Sequence, residues 1–225
     1  MGGLPDIELD PADGFDRLAI TPLLRGVLRT DVRQPGFALL RLPPETSSNT
    51  LRRTMVEVRN AIHELEPTRY FWLHRFDHRV SSRPHQDGAP GPSVLVLGYE
   101  TSRRRYDVRV IDLARLAHDR AETAPATLAF LQGIERDEAD GLFVPYTTSL
   151  GWLEPEAGPW VLILNNSGDA ESGALGVMHG AEIPDTSGSG LRVVDSMMLL
   201  LGPGEPALDE AEEEARFLER SCLDG

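Results

Sequence analysis

From Tyr70 to Leu201 the chain is a succession of short apolar or alternating runs closed by glycine, proline or serine, and this rhythm most limits what it can fold into. Tyr70, Trp72, His74, Phe76 and His78 alternate with Phe71, Leu73, Arg75, Asp77 and Arg79, the period of a strand with two unlike faces. Further strand candidates are Ser93 to Tyr99, Tyr106 to Ile111, Leu142 to Thr148, Trp160 to Asn165, Ala174 to His179 and Leu191 to Leu201. With about seven strands in succession, the expected fold is mainly β.

Helices flank this region. Pro11 to Arg29 mixes apolar and charged positions in a helical manner, and Gly36 to Leu42 reads as a strand stopped by Pro43 and Pro44. Leu51, Met55, Val58, Ile62 and Leu65 then recur at spacings of four and three, with Ser47 and Ser48 available as caps. Between Asp112 and Gly141 the strand rhythm breaks, since Leu113, Leu116, Ala117, Leu128, Phe130 and Leu131 suit helices around Pro125. Ala207 to Ser221 carries Leu208, Ala211, Ala215 and Leu218 on one helical stripe, with acidic residues first and Arg216 and Arg220 last, as the helix dipole favours.

A chain of 225 residues with no internal repeat or low-complexity linker is expected to form a single domain. Its helical N-terminal part covers about 1–68 and its β core about 70–201, with a helical insert at about 112–141 and a C-terminal helix at about 207–221.

A formal net charge of -14 repels phosphate backbones and disfavours nucleic-acid binding, and the only basic run is Arg103-Arg104-Arg105. All 22 basic residues are arginine, a mark of genome composition rather than of function. The lone Cys222 excludes an intramolecular disulfide or a multi-cysteine zinc site. Neither a leader-like N-terminus nor a run near the roughly 18 apolar residues of a membrane span is present, so a cytoplasmic protein with no membrane partner is expected. Phosphate-binding loops of the G-x-x-x-x-G-K-[ST] type, G-x-S-x-G elbows and G-x-G-x-x-G fingerprints are all missing.

The residues that carry chemistry are few. His85 and Asp87 lie two apart in Arg83-Pro84-His85-Gln86-Asp87-Gly88, so in an extended segment their side chains point the same way and can converge on one cation. Alone, such a tripeptide arises often by chance. His179, which ends the apolar run Ala174 to His179, would complete a set of two imidazoles and a carboxylate, the donor set that holds non-haem ferrous iron on one face. A core histidine bonded to a carbonyl fits that position too.

Arg192 shifts the balance. It stands in a largely apolar run, where an arginine must be paired or face a cavity, because an unpaired buried charge is costly. Its planar fork suits a carboxylate, and Ser196, four residues on, shares its strand face and could donate to the same group. The alternative for Arg192 is an internal ion pair, for instance with Asp195 or Asp185.

The order strand, H-x-D, long insert, strand ending in His, turn, strand with Arg resembles the Fe(II)/2-oxoglutarate-dependent dioxygenases over residues from about 36 to 201. The resemblance implies a double-stranded β-helix, a jelly-roll or cupin-like core, preceded by helices. It also implies that His85, Asp87 and His179 bind Fe(II), that Arg192 binds the distal carboxylate of the co-substrate 2-oxoglutarate, and that O2 is the oxidant. Subfamilies with an R-x-S motif place serine two residues after arginine, whereas Ser196 is four after.

The resemblance further implies oxidation of a small-molecule substrate with release of succinate and CO2. Asp87 stands where halogenating relatives lack the carboxylate, which favours hydroxylation or desaturation. Tyr99 and Asn165 are candidate contacts to 2-oxoglutarate, although the stretch Asn165 to Asp169 also reads as a turn. Tyr70, Trp72, His74 and Phe76 are candidates for the substrate pocket or for an ordinary core stripe, and His74 and His78 do not form a second metal site. Two rival readings stand beside this one: a cupin-type metal enzyme that does not use 2-oxoglutarate, and a catalytically silent jelly-roll binding protein.

Overall fold

The segments Ser93–Tyr99 and Trp160–Asn165 are apolar at successive rather than alternate positions. The computed structural model, which describes residues 4–153, 157–168, 176–184, 190–205 and 209–224, shows why. Both lie inside a sheet covered on its two faces, and every residue of each is buried.

In chain order the strands are β1 (Asp6–Glu8), β2 (Phe37–Arg41), β3 (Thr68–Asp77), β4 (Ser82–His85), β5 (Ser93–Tyr99), β6 (Tyr106–Ile111), β7 (Thr147–Leu153), β8 (Trp160–Asn165), β9 (Met178–Glu182) and β10 (Val193–Leu201). The helices are α1 (Arg17–Val27), α2 (Ser48–Leu65), α3 (Leu113–Asp119), α4 (Ala124–Gly133), α5 (Arg136–Phe143) and α6 (Glu210–Glu219). Among the described residues, one sheet has the order β1-β2-β8-β5-β10-β3 and the other β4-β9-β6-β7. All neighbours are antiparallel except β1 and β2. From β3 to β6 the chain crosses between the sheets at every strand, and it does so again from β7 through β10.

The larger sheet separates two apolar cores. Its inner face packs Leu39, Leu95, Leu97, Leu162, Val194 and Met198 against Val108, Val110, Leu150, Val177 and Ala181. Its outer face lays Leu40, Val94, Val96, Ile163 and Leu199 on Ile20 and Leu24 of α1, Met55 and Ile62 of α2, and Phe217 of α6. α2 begins where Ser47 accepts a hydrogen bond from the Thr50 amide, and its buried stripe includes the expected Leu51, Met55, Val58 and Ile62. The insert after β6 is helical, capped by Asp112 and packed through Leu113, Leu116 and Phe143.

Several boundaries differ from expectation. α1 begins only at Arg17, because Pro11–Asp13 makes a separate 3-10 turn ended by Gly14 at φ +88°. Phe143 closes α5 and a 3-10 turn follows over Val144–Tyr146, so the strand expected from Leu142 starts at Thr147. Ala174 and Leu175 lie outside the described residues, and β9 runs from Met178 past His179 to Glu182. Residues 206–208 also lie outside, and α6 begins at Glu210.

The largest correction concerns β3. Its register against β10 slips at Phe71, with Met198 opposite Trp72 but Leu199 opposite Tyr70. One extra residue turns everything before it to the other face. Tyr70 therefore joins the helix-side core and donates from its hydroxyl to Glu214 at 2.7 Å, away from the inner face expected for it. Trp72 and Phe76 do pack against the inner core, while His74 is exposed beside Asp224.

Candidate metal centre and its arginine

The ladder of β4 and β9 pairs His85 directly with His179, and their ring centroids are 4.4 Å apart. Backbones come close here: a Cβ on Gly180 would meet the Pro84 nitrogen and the Ser82 carbonyl oxygen, each at 3.0 Å, a tight approach that glycine avoids. Asp87, just past β4, points the same way as His85, as the two-residue spacing requires. His85 Nε2 lies 3.5 Å from Asp87 Oδ1, and His179 Nε2 lies 4.0 Å from Asp87 Oδ2. One ligand atom from each residue falls within 4.8 Å of the other two.

The three side chains sit in different electrostatic settings. His85 donates from Nδ1 to the Arg83 carbonyl at 2.7 Å, which leaves Nε2 to face the carboxylate. Its bond to Asp87 raises its pKa. Burial works against charge on Asp87, but His85 and the nearby His179 outweigh it and hold the carboxyl below the usual range. Burial, followed by the presence of His85, lowers His179 to about 4, so its ring is neutral and can offer a lone pair. His179 Nδ1 is buried without a hydrogen-bond partner among the described residues.

Asn166 fixes the carboxylate's backbone. Its Oδ1 accepts from the Asp87 amide at 3.1 Å and its Nδ2 donates to the Asp87 carbonyl at 2.8 Å. The expected contact Asn165 does something else. Leu162 and Leu164 face the inner core, so Asn165 faces outward, where it donates to the Val27 carbonyl at 3.0 Å. Strand parity thus turns Asn165 away from the inner face and puts its neighbour Asn166 beside Asp87. Asp169, the end of the expected turn, lies outside the described residues.

Arg192 immediately precedes β10 and is 1% exposed. Its Nη1 donates to His78 Nδ1 at 2.8 Å and to the His78 carbonyl at 3.3 Å. The guanidinium lies over the rings of Tyr106 and Tyr99, 4.3 and 5.0 Å from their centroids. Its Nε and Nη2 are buried with no hydrogen-bond partner among the described residues. These two nitrogens form the guanidinium edge that grips a carboxylate side-on. Asp195, one of the expected partners, points to the opposite face of β10 toward Arg52 and Arg75, and Asp185 lies outside the described residues.

Other candidates fall into place around this arginine. Tyr99 stacks on Trp160 with centroids 3.9 Å apart, and burial raises its pKa against the opposing pull of Arg192. Ser196 accepts from Trp72 Nε1 at 3.3 Å, on the inner face it shares with Val194 and Met198. His78 lies within electrostatic reach of both Arg192, which lowers its pKa, and Asp87, which raises it.

No family model matches the chain, nor does any curated protein. Solved structures do. A putative α-ketoglutarate-dependent taurine dioxygenase from Burkholderia xenovorans superposes with a TM-score of 0.50 at 11% identity, over 92% of this chain and 98% of that one. The two share a fold. A taurine dioxygenase from the same organism aligns at a TM-score of 0.48 and 13% identity over 88% of each chain. An iron and α-ketoglutarate-dependent endoperoxidase, NvfI, aligns at 0.40 and 10%, over 75% of this chain and 79% of its own. At such identities the likeness concerns the fold, and the chemistry rests on the residues described above.

Proposed function

We propose that this protein is an Fe(II)- and 2-oxoglutarate-dependent oxygenase that hydroxylates or desaturates a small molecule. We read its two sheets as a double-stranded β-helix, a reading supported by the crossing from sheet to sheet at successive strands. The observation that carries the proposal is the unpartnered edge of Arg192, a buried cation whose Nε and Nη2 have no partner among the described residues. A metal site that bound no diacid would give that edge no purpose, and its desolvation would go uncompensated. A bound carboxylate supplies the missing acceptors.

His85, Asp87 and His179 would hold the iron. Bound there with 2-oxoglutarate, ferrous iron supplies activation of O2 coupled to oxidative decarboxylation of the keto acid to succinate and CO2. Arg192 would hold the distal carboxylate, and Tyr99 and Tyr106 would keep water from the guanidinium face. Trp72 and Phe76 give the inner face of β3 an apolar wall suited to a small organic substrate. Among the described residues no helix is long and apolar enough to cross a membrane. We place the enzyme in the cytoplasm, where the free, exposed Cys222 and a ferrous site would both stay reduced.

Anaerobic addition of Fe(II) and then 2-oxoglutarate should give the weak visible charge-transfer band of a chelated keto acid. The band should be absent in His179→Ala, which loses a ligand. No band in the wild-type protein would sink the proposal. A band that persists with unchanged 2-oxoglutarate affinity in Arg192→Met would instead remove Arg192 from the co-substrate site.

A further inference from the structure

The sequence set His78 aside, yet it is the residue that aims Arg192. Nη1 of that arginine is committed to His78 twice, to the ring at 2.8 Å and to the carbonyl at 3.3 Å. In return the His78 amide donates to the Arg192 carbonyl at 2.9 Å. The rings of Tyr106 and Tyr99 fix the plane of the guanidinium but not its rotation within that plane. The bond to the imidazole supplies this second constraint, and it leaves the opposite edge, Nε and Nη2, unpartnered.

We propose that His78 is a positioning residue for the co-substrate: it orients Arg192 so that the free guanidinium edge meets the distal carboxylate of a keto diacid. The inference rests on the oxygenase reading above. Arginine has only donors, so His78 Nδ1 must accept and the proton sits on Nε2. Burial, then Arg192 and His85, lower the pKa of the ring to about 4, which agrees with a neutral acceptor. A protonated ring would offer Arg192 a second cation in place of a lone pair.

Asparagine and glutamine separate this role from a merely structural one. An amide at residue 78 in His78→Asn sets its oxygen near the place of Nδ1, whereas in His78→Gln the oxygen falls near Nε2. The measurement is calorimetric titration of the Mn(II)-loaded full chain, without oxygen, with 2-oxoglutarate and with 2-oxopentanoate, which carries a methyl in place of the distal carboxylate. The wild type should prefer the diacid. His78→Asn should keep that preference to within about threefold, and His78→Gln should reduce it by about tenfold while leaving 2-oxopentanoate affinity unchanged. Equal preference in the two variants overturns the role of His78, as does an equal loss for both ligands. Failure of the wild type to bind 2-oxoglutarate overturns the oxygenase reading itself, a result distinct from either.

Discussion

Asn166 holds Asp87 by both of its backbone polar groups, accepting from the amide at 3.1 Å and donating to the carbonyl at 2.8 Å. Asn166 thereby fixes the residue without touching its carboxylate oxygens, which face His85 and His179. Residues that orient metal ligands in this way typically contribute 10- to 100-fold to affinity. Asn166→Ala should weaken Co(II) binding by about that factor, followed by absorbance titration. Asn165→Ala should cost stability through the lost bond to Val27 and leave Co(II) affinity unchanged. Reversal of the two outcomes would mean that the parity of β8 is misassigned.

Arg192→Met removes the charge but keeps most of the volume. Metal affinity should be retained, and 2-oxoglutarate should bind roughly 10- to 100-fold more weakly, the loss of charge-assisted hydrogen bonds. Quenching of tryptophan fluorescence gives both constants. Metal loss in this variant would show that Arg192 supports the triad rather than the diacid.

Tyr70→Phe tests the bulge in β3. Because Tyr70 donates to Glu214 on the helix side, the variant should lose about 1 kcal/mol of stability, or about 2–4 °C in Tm. Its co-substrate affinity should equal that of the wild type. A selective loss of 2-oxoglutarate binding with no change in Tm would return Tyr70 to the inner face.

Asp195 gives a pH signature. Its two oxygens are buried without a hydrogen bond, and burial, then Glu100, push its pKa up from 3.8 to about 7. The folded chain thus keeps a proton that the unfolded chain has released. This stabilising contribution is complete below about pH 4 and is lost as pH rises through 7. Between about pH 4 and 7 the urea unfolding free energy of the wild type should fall relative to that of Asp195→Asn, by at most about 1.4 kcal/mol for each pH unit. Parallel curves for the two proteins would contradict the raised pKa.

How much of this was legible in the sequence depends on which physical rule governs each residue. The pairing of His85 with Asp87 is local, since an i, i+2 spacing in extended chain needs only backbone geometry. The approach of His179 was readable only as a compatible residue type, because it depends on the register of β4 against β9. Tyr70 was misplaced because a single bulge at Phe71 inverts the parity of all that precedes it, and nothing in Arg69-Tyr70-Phe71-Trp72 announces it. The outward turn of Asn165 and the placement of Asn166 are legible in the sequence, since Leu162 and Leu164 already define the inward parity. The same parity carries from Trp72 and Phe76 to His78, whose contact with Arg192 depends on a register that the sequence alone does not show.

The two ends of the site stand on different sheets: His85 and His179 on the four-stranded one, Arg192 at the head of β10 in the six-stranded one. Between the two sheets lies the apolar filling, Leu95, Leu97 and Met198 against Val108 and Val110. On the reading proposed above, that filling would act as a calliper for the length of the diacid. A keto diacid one methylene shorter or longer would reach only one jaw, and trimming Met198 would reset the gap without touching a ligand.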